Sequence, residues 1–187
     1  MEELHTDRLL LRRWTTDDAD VDFLADMYAR WEVQRFIGRF PRVSTDRSEA
    51  VARAERYAHA HEDHPVHGIW AVADATTGQR FGTILLKDLP ASAAREGADD
   101  ALTPSGDTEI GWHLHPGAWG HGYAAESAIR VLAHAFDHGL PRVLAVTHPD
   151  NAASQRVARR IGMTDAGVTG RYYNTTCALF RIDRPGD

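Results

Sequence analysis

The sequence has little sulfur chemistry to offer. Its one cysteine, Cys177, excludes an internal disulfide and any thiolate cluster for zinc. Long apolar runs are missing too. Residues 1–13 turn from acidic to basic around a single short run, Leu9, Leu10 and Leu11, which is the pattern of neither a signal peptide nor a membrane span. No Gly-Lys-Ser/Thr is present to hold a nucleoside triphosphate, and no segment repeats. Basic residues are in deficit, 21 against 27 acidic, for a net charge of −6. That balance argues against nucleic acid as the main partner and mildly for a cationic one. The expectation is a cytoplasmic protein with no membrane and no nucleic-acid partner.

What is present is an ordinary globular composition, 43% hydrophobic and 26% charged over 187 residues, which suits one domain spanning 1–187. Residues 8–14 read as a strand, and Thr15, Thr16, Asp17 and Asp18 as the capped start of a helix. Phe23, Leu24, Met27, Tyr28 and Trp31 follow at helical spacing. Ser44 or Thr45 is expected to cap a second helix, carrying Ala50, Val51, Ala54 and Tyr57. Residues 69–73 and 81–87 are strand-like, with a hairpin turn at 76–79. Residues 90–106, rich in Ala, Ser, Gly, Asp and Pro, predict a flexible loop insertion. From 108 to 114 the chain alternates, so Glu109, Gly111 and His113 share one face and Ile110, Trp112 and Leu114 the other. A helix over 123–138, a strand over 142–147, a helix over 152–161 and strands near 164–169 and 176–182 complete an α/β (α+β) domain with a mixed sheet.

The most informative segment is Trp119-Gly120-His121-Gly122-Tyr123-Ala124-Ala125-Glu126, which joins a strand to a helix. That order aims free backbone N–H groups and a positive helix end at one spot, which suits a phosphate. Glycine leaves room for the turn and for close approach of the anion. The Gly-x-Gly alone is weak, and it lacks the third glycine of the dinucleotide fingerprint. His59, His61, His64 and His67 crowd one stretch, but Pro65 interrupts them and no Cys pair or His-Glu motif accompanies them. They read as a solvated helix end and loop, and no metal site is expected. His113, His115 and His121 flank the glycine turn as loop and strand-edge polarity. Cys177 reads as a small buried side chain, and Trp31, Trp70 and Trp112 as core.

With these motifs in this order, the chain resembles the GNAT superfamily of acetyl-CoA-dependent N-acetyltransferases, in its RimJ/RimL-like group. Four passages carry the resemblance: residues 6–12 (Thr-Asp-Arg-Leu-Leu-Leu-Arg), 109–112 (Glu-Ile-Gly-Trp), 119–126, and 148–154 (His-Pro-Asp-Asn-Ala-Ala-Ser) leading into Ile161-Gly162-Met163. The superfamily's phosphate signature is Arg/Gln-x-x-Gly-x-Gly/Ala; Gly122 and Ala124 fill its small positions, Gly120 adds another, and Trp119 replaces the usual Arg or Gln. The resemblance implies a mixed, mostly antiparallel sheet with one splayed strand pair, flanked by helices. It implies a cofactor, acetyl-CoA with CoA as product, held by Leu114, Trp119, Gly120, His121, Gly122, Tyr123, Ala124, Asn151 and Ser154. The pantetheine arm would pair with the strand edges freed by the splay.

It also implies direct transfer to an amine, on a small molecule or a peptide N-terminus, within a ternary complex. Such chemistry needs a base for the amine, donors for the oxyanion and an acid for the thiolate. Glu109 leads as base, His113 follows, and Tyr173 is the acid, with Tyr172 the weaker of the tyrosine pair. The plainer roles are a structural carboxylate for Glu109 and an aromatic pocket wall for the tyrosines. A homodimer fits the group. Two other functions are kept open: a CoA-binding sensor without turnover, and an acyltransferase using another donor such as succinyl-CoA.

Overall fold

Hydrophobic alternation along the central strands decides the layering. On β4 (Arg80–Ala91), Ile84 and Leu86 enter one core while Leu85 enters another, so both sheet faces are covered. The computed structural model describes residues 2–62, 64–93 and 101–186. Among these, the remaining strands are β1 (Leu4–His5), β2 (Leu9–Arg13), β3 (Gly68–Asp74), β5 (Thr103–Leu114), β6 (Arg142–Thr147), β7 (Thr164–Thr169) and β8 (Cys177–Asp183). They form one sheet in the order β1-β2-β3-β4-β5-β6-β8-β7. Neighbours run antiparallel except β5 and β6, which are parallel and joined through a helical crossover.

Helices α4 (Tyr123–Asp137) and α5 (Ala152–Arg160) cover one face, where Ala128, Val131, Leu132 and Ala135 pack against Ile84, Leu86 and Ile110. Helices α1 (Asp18–Tyr28), α2 (Trp31–Gln34) and α3 (Arg47–His59) cover the other through Val21, Leu24, Met27, Tyr28, Ala54 and Tyr57. Asp17 caps α1 by accepting the Asp20 N–H. The cap of α3 is Asp46 rather than Ser44 or Thr45, because its carboxylate takes the Ser48 N–H at 2.8 Å while the Ser44 hydroxyl goes to Glu49. Among the described residues no helix is long and apolar enough to cross a membrane.

The loop expected over 90–106 is shorter at both ends. Strand pairing continues through Pro90↔Pro104 and Ala91↔Thr103, past a register shift at Leu89, and residues 94–100 lie outside the described residues. Composition misled here because tertiary contacts, not alternation, hold the hairpin. The Ser105 hydroxyl donates to the Leu89 carbonyl, and Ala91 bridges to Tyr172.

Strands β5 and β6 meet only at Glu109↔Leu144. Beyond that pair they part, leaving backbone edges on both sides of the gap, and the glycine turn lies just past the end of β5.

Candidate active site

The glycine turn is built by backbone conformation. After a 3-10 turn at Pro116–Ala118, Gly120 and Gly122 adopt φ of 81° and 83°, and Gly122 caps α4 without any side-chain hydrogen bond. A side chain at either position would sit in the left-handed region, at a cost of about 1–2 kcal/mol. The first-turn N–H groups of α4 therefore point into open space with no intrahelical acceptor. Arg8 straps the turn to the sheet: it donates to the Glu126 carboxylate and to the His121 carbonyl, and its guanidinium lies 4.9 Å from the Tyr123 ring centroid. Tyr123 stacks on Phe81 and on His121. Trp119 offers the anion nothing from its side chain, since its indole N–H donates to the Leu114 carbonyl at 2.9 Å. The tryptophan pins the turn to the strand end instead.

Across the gap, Asn151 caps α5 by accepting the Ser154 N–H at 3.2 Å. Leu114 ends β5, the residues from Trp119 to Ala124 form the turn and the start of α4, and Asn151 and Ser154 begin α5 after β6, so all of them lie at or after the C-terminal ends of the two parallel strands. The set fits the co-substrate implied by the resemblance. It combines anion-binding N–H groups at one end, free strand edges in the middle, and an amide donor for an amide-bearing arm.

Glu109 sits at the point where β5 and β6 part, and it is 5% exposed. Tyr173 donates its phenol O–H to Glu109 Oε1, although 64 residues separate them in sequence. The geometry depends on two successive left-handed residues, Tyr173 at φ 58° and Asn174 at φ 52°. Such conformations cost of order 1–3 kcal/mol each and persist only where surroundings impose them. Here Tyr172 is the anchor: it is buried, and its hydroxyl donates to Asp107 at 2.8 Å, itself paired with Arg142. Tyr172 thus holds its neighbour Tyr173 over Glu109. Lys87, opposite Glu109 on β4, completes the group at 2.9 Å from Glu109 Oε1 and 2.8 Å from the Tyr173 hydroxyl.

Burial raises the Glu109 carboxyl above the usual range, opposed by the Lys87 charge and by the bonds from Tyr173 and Lys87. Burial, then the facing carboxylate, raises the Tyr173 phenol. A base made stronger by burial next to a phenol that keeps its proton is a usable acid–base pair.

His113 shares the face of Glu109, as the alternation predicts, but lies about 13 Å further along the strand. Its Nδ1 contacts the Tyr28 hydroxyl at 2.9 Å, and Tyr28 in turn contacts Tyr57 and lies under Arg53. Burial, reinforced by Arg53 and Lys87, lowers His113 to about 4. The structure brings Glu109 and Tyr173 together and leaves His113 in a separate polar cluster with Tyr28 and Tyr57.

Of the crowded histidines, His67 is buried rather than solvated, stacked on His64. Elsewhere, Glu2, His134 and His138 bring ligand atoms within 4.8 Å of one another, but both histidine rings already contact backbone carbonyls, of Val66 and His134.

This geometry has known counterparts. Residues 8–164 match the acetyltransferase (GNAT) domain family. The chain belongs to the GNAT acetyltransferase family. It is 30% identical over 171 residues to the uncharacterized N-acetyltransferase YoaA of Bacillus subtilis (strain 168), covering 90% of this chain and 86% of that protein. Among solved structures it is similar to an acetyltransferase from Agrobacterium tumefaciens str. C58, with a TM-score of 0.75, 25% identity, and coverage of 97% and 94% of the two chains. It also shares the fold of RimL, a ribosomal L7/L12 alpha-N-protein acetyltransferase solved in complex with coenzyme A, at a TM-score of 0.74, 18% identity and full coverage of both. GNAT enzymes transfer an acetyl group from acetyl-CoA to an amine, so this protein is a GNAT N-acetyltransferase.

Lys87 and Arg8 escaped the sequence reading. Arg8 lies within residues 6–12, where the pattern is that of a strand and gives no sign of the contact with Glu126. Lys87 is the chain's single lysine, a compositional signal that singles it out without saying what it touches.

Proposed function

We propose that Glu109 is the base and Tyr173 the acid of direct acetyl transfer from acetyl-CoA to a primary amine, in a ternary complex. The observation that carries this reading is the Tyr173–Glu109 hydrogen bond at the site where β5 and β6 part. Acetyl-CoA, a substrate here, supplies the activated acyl group. Glu109 takes a proton from the acceptor nitrogen, directly or through a water, as the nitrogen bonds to the acyl carbon. Tyr173 gives its proton to the departing sulfur. Backbone N–H groups of β5 beyond Glu109 serve the developing oxyanion. Gly120, Gly122 and the first turn of α4 hold the diphosphate, while Asn151 and Ser154 meet the amide arm. His113, neutral and tied to Tyr28, forms part of the acceptor-side wall.

The acceptor is a small-molecule amine or a peptide N-terminus in a cytoplasmic setting; RimL's action on L7/L12 supports the peptide option by fold alone. Calorimetric titration with acetyl-CoA, succinyl-CoA and free CoA tests the reading, followed by thiol release over a panel of amines. Acetyl-CoA should bind and Gly122→Asp should abolish that binding, because the substitution puts a strained side chain and a negative charge at the phosphate turn. Binding without thiol release for any amine would favour a CoA sensor; release only with succinyl-CoA would change the donor.

A further inference from the structure

A carboxylate that is almost wholly buried needs a reason to stay ionised, and a phenol hydrogen-bonded to it needs a reason to let its proton go elsewhere. Lys87 touches both. Its side chain is 35% exposed against 7% for Glu109, so the ammonium stands at the rim of the site and reaches inward. We propose that Lys87 is a positioning residue whose ammonium holds Glu109 and Tyr173 in one triangle, through which a proton passes from the base back to the acid. This rests on the reading of Glu109 and Tyr173 given above.

The contacts assign the protons. Tyr173 donates to Glu109 Oε1, so the phenol oxygen has lone pairs to accept from Lys87, and Lys87 has donors for both oxygens. During transfer an N–H bond of the acceptor breaks and its proton goes to Glu109. The O–H bond of Tyr173 breaks and its proton goes to sulfur, as the C–N bond forms and the C–S bond breaks. Glu109 is now protonated and Tyr173 is a phenolate, still facing each other. The proton then crosses their existing hydrogen bond, and the protein returns to its starting state. Lys87 gives up no proton. Its charge offsets Glu109 before the reaction and the Tyr173 phenolate during it.

Other groups facing Glu109 do not replace this cation. Cys177 of β8 is a thiol that the Glu109 charge pushes up after burial. Asp107, two residues back on β5, is occupied by Arg142 and Tyr172. His113 faces the same side further along and stays neutral. On the β4 side, Asp88 lies against His67, 3.9 Å from its Nδ1.

Because the chain has one lysine, ¹⁵N-lysine labelling of the free protein gives a single side-chain ammonium signal. The triangle predicts that this signal shifts in both Glu109→Gln and Tyr173→Phe. A signal indifferent to both substitutions overturns the proposal without any reference to turnover. In the loaded enzyme, Lys87→Met should move the acid limb of the kcat/KM pH profile up by about one pH unit, because the buried carboxylate loses its opposing charge. Lys87→Arg should keep the limb in place, and CoA affinity should match wild type in both. A uniform loss of rate at every pH, or a lower melting temperature with an unmoved limb, makes Lys87 merely structural and sinks the idea. Should Lys87→Met fail to fold, Lys87→Gln carries the same comparison. If wild type releases no thiol with any amine, the acyl-transfer reading fails, and the ammonium signal still decides the triangle.

Discussion

Two buried carboxylates, Asp20 and Glu109, behave in opposite ways. Asp20, fully buried in α1, receives Arg12 at 2.6 Å, Arg80 at 2.5 Å, and the N–H and hydroxyl of Thr15. Burial alone would raise it, but those donors overcome the penalty and hold it at about 2. Glu109 has one ammonium and one phenol on a single oxygen, and burial wins. The number of donors around a buried carboxylate thus decides whether burial or hydrogen bonding sets its proton affinity. Asp20 is saturated, tying β2, α1 and the start of β4 together. Glu109 receives both of its donors on Oε1 and is held above the usual carboxylate range.

The contrast is broken most severely by Asp20→Asn, which leaves Arg12 and Arg80 facing a neutral amide. Removing one partner of such a buried network should cost about 3–5 kcal/mol, read as a large fall in melting temperature, with CoA affinity of the remaining folded protein unchanged. Glu109→Gln should do the reverse. Turnover should fall by about 10² or more, roughly 3 kcal/mol in the barrier, while the melting temperature moves little because Lys87 stays partly hydrated. A destabilised Glu109→Gln protein with normal turnover would erase the distinction.

Acid separates the two carboxylates by a smaller effect. Asp20 is depressed from 3.8 to about 2, so its contribution to stability is fully present above about pH 4 and drains away as pH falls through 2. At about 1.4 kcal/mol per unit, this is worth about 2 kcal/mol, less what partial exposure of the arginines screens. Glu109, raised by burial, has the opposite sign: its contribution is lost as pH rises through its folded value, and under the proposed mechanism activity should appear over that same rise. Denaturant titrations from pH 2 to 8 should show a steeper loss of stability in acid for wild type than for Asp20→Asn, which keeps the slope of the other depressed carboxylates such as Asp26 and Glu126.

Local pattern explains why much of this was legible in advance. The alternation from 108 to 114 set Glu109 and His113 on one face, and the glycines at 120 and 122 marked the turn that needs positive φ. Both are properties of a few neighbouring residues. Strand β1 was missed because two residues carry no period, and the α3 cap moved because three candidate oxygens lay in a row. Trp119 read as a departure from the phosphate signature, and only its bond to the Leu114 carbonyl shows what it does.

The sequence by itself determined the order of most strands and helices, the layered α/β class, the glycine turn and the identity of the candidate base. Periodicity and backbone preference act over short range, so they survive in one dimension. Tertiary structure decided which groups meet Glu109. Tyr173 reaches it from 64 residues away on a left-handed backbone, and Lys87 reaches Tyr173 across 86 residues. No local preference encodes such distances. The β5–β6 splay, strand register and the buried Tyr172 anchor bring the three side chains together, and burial then gives the carboxylate its altered affinity for a proton.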